Sequence, residues 1–589
     1  MFSEFTSRLH TNYVPSDREI PQIKKLLIKP QMEILALEKE IQRVQGLLND
    51  LLLKHDALQG TLKAHEALIS IPRRLPLDIL QEIFLHCLPT DRNAVMDCKD
   101  APLLLGRVRS NWRTTVYATP QLWSSIHICM FNDSIDVIDI IDVPLDLGID
   151  YGTYGTLAKR IALPRYQAVR DWLNRTGSCP LSISFYGVPG RPRRDDIGHN
   201  MSPDHIMKIL SPFSRQWRDM HFSMPAENCR EALECLSIDD APILRSLSMT
   251  ATNYTTSWML LDMSNVPIIA PDIQSLSFFP IPNMAMFKYL AETRWSQLTR
   301  LSLNCDIPEM STFLKLSTTL SVLRHCPQIT HFWFVLRQVS GLNEHRTLEG
   351  PSVTLTHLRS MIISTVANVQ KFLDCLILPS LSSLAINLIR APRLNNDLSS
   401  FINPFISRIG EQITSLTISC STESSQEDLH RCMSHMPLVK RVHIVRHDWF
   451  TVPVYQFFGR HTEDANYLLC DETLEMLTPS KVAPITPIWP DLETLECDVD
   501  AMVTMERILD FLEARNGKAD EGIAQIKRVK LNLNILVTQM EGDDARVCES
   551  RLSKLRKDGV EVDISWAKFH KIHSLSTWCG IETTIHQEW

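Results

Sequence analysis

The residues with side chains suited to catalysis or metal binding do not form a recognisable motif in this sequence. His461, Glu463 and Asp464 lie within one tetrapeptide and could in principle bind a metal ion or transfer a proton. A solvated run of charge is the favoured interpretation. No phosphate-binding loop, H-E-x-x-H motif or G-x-S-x-G motif is present. We therefore expect no enzyme activity, no catalytic residue, no metal site and no cofactor.

Glycine and cysteine patterns do not suggest another kind of chemistry. The segment 152–155 carries two glycines but lacks the third glycine and the preceding apolar strand of a dinucleotide site. The 15 cysteines are scattered without a C-x-x-C pair. That distribution argues against a secreted disulfide framework and against a structural zinc site. Reduced, buried thiols are the favoured interpretation.

Length and charge indicate which classes of protein to consider. A chain of 589 residues exceeds what one hydrophobic core supports, so several domains or a repeat array are expected. The net charge of −8 does not favour a nucleic-acid partner. The longest apolar candidate, residues 137–147, is interrupted by three aspartates, and no basic signal-peptide start is present. We expect a protein of the cytoplasm, the nucleus or both, without a membrane partner.

A heptad pattern predicts a coiled-coil-like helix over residues 31–69, after an N-terminal tail (1–30) that Pro15, Pro21 and Pro30 interrupt. Two interpretations remain open. Residues 34–69 could mediate self-association or bind a partner, or the helix could fold back on its own chain. Two histidines at seam positions would weaken a dry seam. The seam residues are Ile34, Leu37, Ile41, Val44, Leu48, Leu51, His55, Leu58, Leu62, His65 and Ile69.

Residues 70–125 have the pattern of a small all-α module. Pro76 suits the first turn of a helix whose apolar residues recur at helical spacing up to Pro89. A polar loop follows, and two further short helices precede the segment 119–125. About 50 residues bury too little surface to be very stable alone, so an apolar surface left for a partner is physically reasonable.

The order and spacing of these residues resemble the F-box, and the segment 119–125 resembles the form common in mushroom-type fungi. The chain departs from the family at Arg109, where a small residue or Cys is frequent, and in a long 90–100 loop. The resemblance implies binding to a Skp-type adaptor and through it to a cullin. Trp112 also suits the core, and the whole surface could instead pack on its own chain. The implied adaptor-binding residues are Leu75, Pro76, Ile79, Leu80, Ile83, Phe84, Leu104, Val108 and Trp112.

A phrase of the form L-x-x-L-x-L recurs, mostly 23 to 34 residues apart, and predicts a leucine-rich-repeat-like domain over 126–565 with a tail over 566–589. Each copy should supply a strand and usually a helix. The gap between Val439 and Leu492 spans about two periods and indicates a degenerate repeat or an inserted loop. The copies begin at Trp217, Leu244, Ile273, Leu298, Ile329, Leu358, Leu381, Ile413, Val439, Leu492 and Ile526.

The predicted fold class is thus an α/β solenoid with an N-terminal F-box-like module and a preceding long helix. Polar positions of the strands should line a concave face, with Trp333 exposed. An ordinary solvated sheet face remains the alternative for each position. The candidate substrate-binding residues are Arg300, His331, Trp333, Arg441, His443, Glu496, Arg528 and Lys530.

Two functional hypotheses follow. The first is a non-catalytic substrate-recognition subunit of a Skp–cullin–F-box ubiquitin ligase, which binds a protein substrate through the repeats. The alternative is a protein-interaction scaffold without a role in ubiquitination. The sequence does not identify the substrate.

Overall fold

A computed structural model describes nineteen parts of the chain. They are residues 5–69, 71–130, 166–187, 204–224, 229, 232, 241–251, 272–279, 295–305, 316–336, 351–365, 369–388, 399–420, 426–444, 471–479, 487–499, 503–517, 522–534 and 543–567. The chain divides into two compact units, residues 1–82 and 83–589.

The first unit consists mainly of α1 (Ile20–Ile69), a helix of 50 residues. The short α2 (Ile71–Arg74) follows it, and α3 (Leu77–His86) begins within this unit. Nearly every described side chain of α1 is exposed, and Ile23 alone among them is half-buried. The helix therefore has an apolar seam that its own unit does not cover.

The prediction that α1 starts at residue 31 was wrong, because two prolines were given too much weight. Pro21 is the second helical residue, where a backbone N–H would have no helical acceptor. Pro30 removes one internal hydrogen bond, and the helix continues on both sides of it. The helix start is instead marked by Ser16 and Glu19. The Glu19 carboxylate accepts hydrogen bonds from the Ser16 backbone N–H (2.9 Å) and hydroxyl (2.7 Å), an arrangement of the capping-box type.

The second unit contains the end of α3, and its described residues include ten further helices whose bounds are as follows. They are α4 (Leu105–Val108), α5 (Ser110–Tyr117), α6 (Asp204–Leu210), α7 (Leu316–Arg324), α8 (Gln370–Asp374), α9 (Ser399–Ile409), α10 (Gln426–Ser434), α11 (Asp471–Leu477), α12 (Met505–Asn516) and α13 (Asp543–Lys557). Residues 166–174 are helical as well.

Fourteen strands of the second unit form one sheet in the order β1-β2-β3-β4-β5-β6-β7-β9-β11-β12-β13-β14-β15-β16. The strands are β1 (Ser125–Met130), β2 (Leu181–Gly187), β3 (Trp217–Met224), β4 (Ser246–Ala251), β5 (Ser275–Phe279), β6 (Arg300–Cys305), β7 (His331–Leu336), β9 (Ser360–Thr365), β11 (Ser383–Leu388), β12 (Ser415–Cys420), β13 (Arg441–Ile444), β14 (Thr494–Val499), β15 (Arg528–Asn534) and β16 (Glu561–Ala567). The short β8 (Val353–Thr354) and β10 (Leu376–Ile377) pair separately.

All neighbouring strands of the large sheet are parallel. Within the described residues, helices lie between many of the successive strands, as α7 does between β6 and β7. The α/β, solenoid-like prediction is confirmed at this level, and each predicted phrase coincides with a strand from β3 to β15. The apolar residues of one strand meet those of the next in register, as Leu301, Phe332 and Met361 do. Stacking thus builds one continuous apolar face.

The strands on either side of the long gap, β13 and β14, are hydrogen-bonded neighbours, so no further strand lies between them in the sheet. The described part of this gap contains α11, and the choice between a degenerate repeat and an inserted loop falls on residues outside the described ranges. Arg515, at the end of α12, fixes this region. Arg515 is 3% exposed, and its guanidinium donates hydrogen bonds to the carbonyl oxygens of Leu477 (3.0 Å), Trp489 (2.7 Å) and Pro490 (3.2 Å).

The N-terminal edge of the sheet is covered by the loop that precedes α4. The backbone N–H of His127 in β1 donates to the carbonyl of Ala94 (2.7 Å), and Val95 forms a parallel bridge with His127. Asn93 accepts a hydrogen bond from Ser125 (2.8 Å) and donates one to Ser184 (3.0 Å) in β2. The loop therefore occupies the position of a further strand and protects the edge.

In the described part of the chain, no helix combines the length and the apolar character needed to span a membrane.

Candidate protein-binding surfaces

Helix α3 has a buried face and an exposed face, and both are apolar. On the buried face, Leu80 is 3% exposed and Phe84 is fully buried. On the exposed face, Ile79 in the first unit is 46% exposed and Ile83 in the second unit is 42% exposed. Leu75 is half-buried and Pro76 is exposed.

Phe84 packs against Trp112 of α5, with ring centroids 5.0 Å apart in an edge-to-face arrangement. The Arg109 guanidinium lies 5.2 Å from the Trp112 ring centroid. The departure at Arg109 thus places a cation on this aromatic ring. Leu80 and Phe84, expected to contact an adaptor, are buried instead, and Trp112 is partly buried against Phe84. Phe84 and Trp112 support their helices by packing against each other.

Three large aliphatic side chains of the module are exposed in the second unit: Ile83, Leu104 (43%) and Val108 (56%). Leu104 and Val108 are four residues apart, so they lie on one side of the helical turn that forms α4. We call Ile83, Leu104 and Val108 the exposed apolar group. Other residues of α4 and α5, such as Leu105 and Val116, are buried.

The module is joined tightly to the first strands of the sheet. The indole N–H of Trp123 donates to the Val116 carbonyl (2.9 Å) at the end of α5. The Trp172 indole N–H donates to the Trp123 carbonyl (2.8 Å), and the two rings meet edge to face at 4.8 Å. Arg175 lies over the Trp123 ring at 4.8 Å. The segment 119–125 therefore fixes the position of α5 relative to β1.

The two faces of the sheet have different chemistry. One, the helix face, is apolar, and its Phe334 stacks on Phe372 of α8 at 5.0 Å. The other, the outer face, carries the residues that alternate with the apolar ones. Serines are frequent on this outer face between β2 and β6. They are Ser182, Ser184, Ser246, Ser248, Ser275, Ser277 and Ser302.

The centre of the outer face is apolar and buried, which corrects the prediction for Trp333. Trp333 is only 8% exposed and forms a cluster with Val335, Ile362 and Ala385 from three neighbouring strands. Register places Ile362 beside Trp333. Alternation correctly assigned Trp333 to the outer face, but this indole is not an accessible contact residue.

The last strands carry charged residues at the outer face. In register, Arg441, Thr494, Arg528 and Glu561 form one row, and His443, Glu496, Lys530 and Asp563 form the next. Arg528 and Glu561 form an ion pair at 2.8 Å, which raises the pKa of the arginine. His443 and Glu496 lie 3.9 Å apart. Arg441 and Lys530 are exposed. Five predicted substrate-binding residues thus lie on adjacent strands, in what we call the charged rows.

Arg300 and His331 are neighbours on β6 and β7, away from the charged rows. Burial lowers the pKa of Arg300. The pKa of His331 is also lowered, first by burial and then by the charges of Arg300 and Arg359. Both side chains are half-buried. Because β6 and β7 are not adjacent to β13, β14 or β15, these two residues do not belong to the charged rows.

His221 of β3 is expected to make the stability of the second unit depend on pH. It lies between Ser184 and Ser248 on the outer face, and burial lowers its pKa to about 4 from 6.5. The unfolded chain therefore binds a proton that the folded chain rejects, so stability falls as the pH drops below 6.5. Between pH 7 and pH 5 the loss should be about 2 kcal/mol.

Urea denaturation at these two pH values measures the effect. His221→Gln should reduce the pH-dependent loss by that amount, whereas replacement of the exposed His357 by Gln serves as the matched control. An unchanged pH dependence in His221→Gln would contradict the assignment.

Comparison with known proteins does not identify the chain. No family model matches this sequence. No curated protein matches it either. A crystal structure of a protein from Bacteroides fragilis aligns with 50% of this chain and 66% of its own, at 13% identity and a TM-score of 0.24. A likeness of this size carries no argument about the fold or the function of the chain.

Several sequence predictions lie outside the described residues. These are the tetrapeptide with His461, the glycine segment 152–155, the apolar run 137–147 and the tail after residue 567. Within the described residues, no group of three or more His, Cys, Asp and Glu side chains could hold a metal ion. The residues that sequence reasoning overlooked are structural, namely Arg515 and the strands β1, β2 and β16.

Proposed function

We propose that the chain is a substrate-recognition subunit of a Skp–cullin–F-box ubiquitin ligase. In this proposal residues 70–125 are an F-box that binds a Skp-type adaptor, and a cullin joins through that adaptor. The parallel sheet is a leucine-rich-repeat-like array that binds a protein substrate. The chain itself performs no bond chemistry.

The observation that carries the proposal is the exposed apolar group. Ile83, Leu104 and Val108 match the F-box pattern, and each exposes more than two fifths of its surface. The residues beneath them are well packed, since Phe84 and Leu105 are buried. A small module that fills its core and still exposes several large aliphatic side chains has the composition expected of a docking surface.

The second element of the proposal is a fixed spacing between two binding surfaces. The Trp123 and Trp172 contacts join the module to β1, and the sheet continues from β1 to the charged rows. A rigid connection lets a receptor hold its substrate at a constant distance from a partner enzyme, which raises the local concentration of the reacting groups. We assign substrate binding to the charged rows, where Arg441, Lys530 and Glu496 provide both signs of charge.

The direct test is binding of a purified Skp-type adaptor, measured by calorimetry. The double substitution Ile83→Asp with Val108→Asp should weaken binding at least tenfold, because a carboxylate buried against an apolar partner loses its hydration. Phe84 is unsuitable for this test because it lies in the core. The matched control is Ile377→Asp with Leu438→Asp, two exposed apolar residues (47% and 45%) of the repeat region.

Equal thermal melting of the two double variants would show that both are folded. If the unmodified chain does not bind the adaptor, the ligase proposal fails. The scaffold alternative, binding through the sheet alone, would then describe the chain.

A further inference from the structure

Helix α1 exposes a long apolar seam that its own unit leaves uncovered. Its seam residues include Leu37 (63% exposed), Leu48 (53%), Leu51 (54%) and Leu58 (71%). Most helical stability in proteins comes from packing an apolar face. A 50-residue helix with this seam therefore requires a partner.

The heptad positions define which face is covered. With Ile34 at position a, six residues occupy a and five occupy d. Gly46 and Gly60 fall at position f, on the opposite side of the helix, and a side chain added at either would meet no atom within 4 Å. The a residues are Ile34, Ile41, Leu48, His55, Leu62 and Ile69, and the d residues are Leu37, Val44, Leu51, Leu58 and His65.

The seam is large enough for a stable interface. Each exposed aliphatic side chain contributes roughly 50–100 Å² of apolar surface. Its nine aliphatic members therefore contribute roughly 450–900 Å² per helix, close to the ~800 Å² per partner of a typical specific complex. Leu47 and Leu52, at the flanking g and e positions, are 52% and 51% exposed and widen the face at its centre.

The charges that flank the apolar seam of α1 indicate which partner covers the seam and in which orientation. In a parallel pair of two copies, Glu33 at g would face Glu38 at e of the other copy, twice. In an antiparallel pair centred between Leu48 and Leu51, Glu33 faces Leu68 and Glu38 faces Gln59 of the second copy. No like charges then face each other at the e and g positions of the seam.

The same antiparallel register pairs a residues with d residues throughout. Leu48 meets Leu51 of the second copy at the centre, and Leu37 meets Leu62. Each seam histidine lies opposite an aliphatic residue rather than opposite a second histidine, as in the pair of His55 with Val44. Pro30, where the helix loses a hydrogen bond, falls at the end of the overlap.

We propose that α1 forms an antiparallel two-stranded coiled coil with α1 of a second copy of this chain. The chain is then a two-fold symmetric dimer that presents two helical modules and two sheets. This inference does not rest on the proposed function, since a scaffold would dimerise in the same way.

The test is the molar mass of the full chain, measured by sedimentation equilibrium over a range of concentrations. The unmodified chain should behave as a dimer. Leu48→Glu with Leu51→Glu introduces four carboxylates at the centre of the pair and should weaken dimerisation at least tenfold. The matched control, Leu35→Glu with Leu53→Glu, changes two exposed leucines (50% and 70%) at the b and f positions and should remain dimeric. A monomeric unmodified chain, or equal behaviour of the two variants, would overturn the proposal.

Orientation is tested by a photo-crosslinking amino acid at position 59 in a mixture of isotopically light and heavy copies. Cross-links between light and heavy peptides should involve residues near Glu38. Cross-links near Lys54 of the other copy would show that the two helices are parallel and would overturn the antiparallel arrangement. Cross-links to residues 83–589 of the same copy would indicate a helix folded back on its own chain and would overturn the proposal.

Discussion

Replacing Arg515 with methionine should lower the free energy of unfolding by about 3 kcal/mol. The guanidinium donates to three carbonyl oxygens, one at the end of α11 and two in the segment before β14. Methionine fills a similar volume but offers no donor, so these buried acceptors lose their partner, at about 1 kcal/mol each. Burial lowers the pKa of Arg515 to about 10, which means that desolvation disfavours the charged side chain at this site. Its contribution to stability therefore comes mainly from the three hydrogen bonds.

Urea denaturation of the full chain measures this change. The matched control is Arg507→Met in the same helix, whose side chain is 52% exposed and forms only long ion pairs of 3.5 and 3.7 Å. That substitution should change stability by less than about 0.5 kcal/mol. A loss below about 1 kcal/mol for Arg515→Met would show that water replaces the guanidinium at these carbonyls.

Gly410→Ala should destabilise the repeat region by a similar amount, about 3 kcal/mol. Gly410 follows α9, and a methyl group there would overlap the carbonyl oxygen of His435 at the end of α10. It would also lie 2.9 Å from the carbonyl carbon of His435 and 3.3 Å from the Met436 side chain. Because two of these contacts are with backbone, two neighbouring repeats would have to move apart.

Thermal and urea denaturation measure this effect as well. Gly60→Ala, in the exposed part of α1, meets no atom within 4 Å and should instead favour the helix by about 0.5–1 kcal/mol. Opposite signs for the two glycines are the expected result. A neutral Gly410→Ala would mean that α9 and α10 can separate without loss of packing.

The strands of the sheet were predictable because their signal is local. In each copy the phrase places two apolar residues on the same side of a strand, and the preceding apolar residue reaches the same core. The strands β1, β2 and β16 lack a recognisable copy of the phrase and were missed. Their residues do alternate, as in Leu181, Ile183 and Phe185, but alternation over so few residues is common in other contexts.

The accessibility of individual residues could not be predicted in the same way. Alternation decides which face Trp333 occupies, but its burial depends on Ile362 and Ala385 from other strands. A signal existed, because these three residues hold the same position in successive copies of the phrase. Arg515 is similar, since it lies seven residues after Ile508 on the buried face of α12. At the N-terminus, Ser16 and Glu19 carried a helix-start signal that the nearby prolines obscured.

The strand order of the sheet follows the chain without a crossover, so every hydrogen-bonded neighbour of a strand is also its nearest large-sheet strand in sequence. A gene rearrangement that duplicates or deletes one strand with its helix would leave all other pairings in place. The sheet can therefore lengthen or shorten in whole steps over evolutionary time. The helical module would remain anchored to β1 throughout, so the outer face of the sheet could change in length without altering how that module is attached.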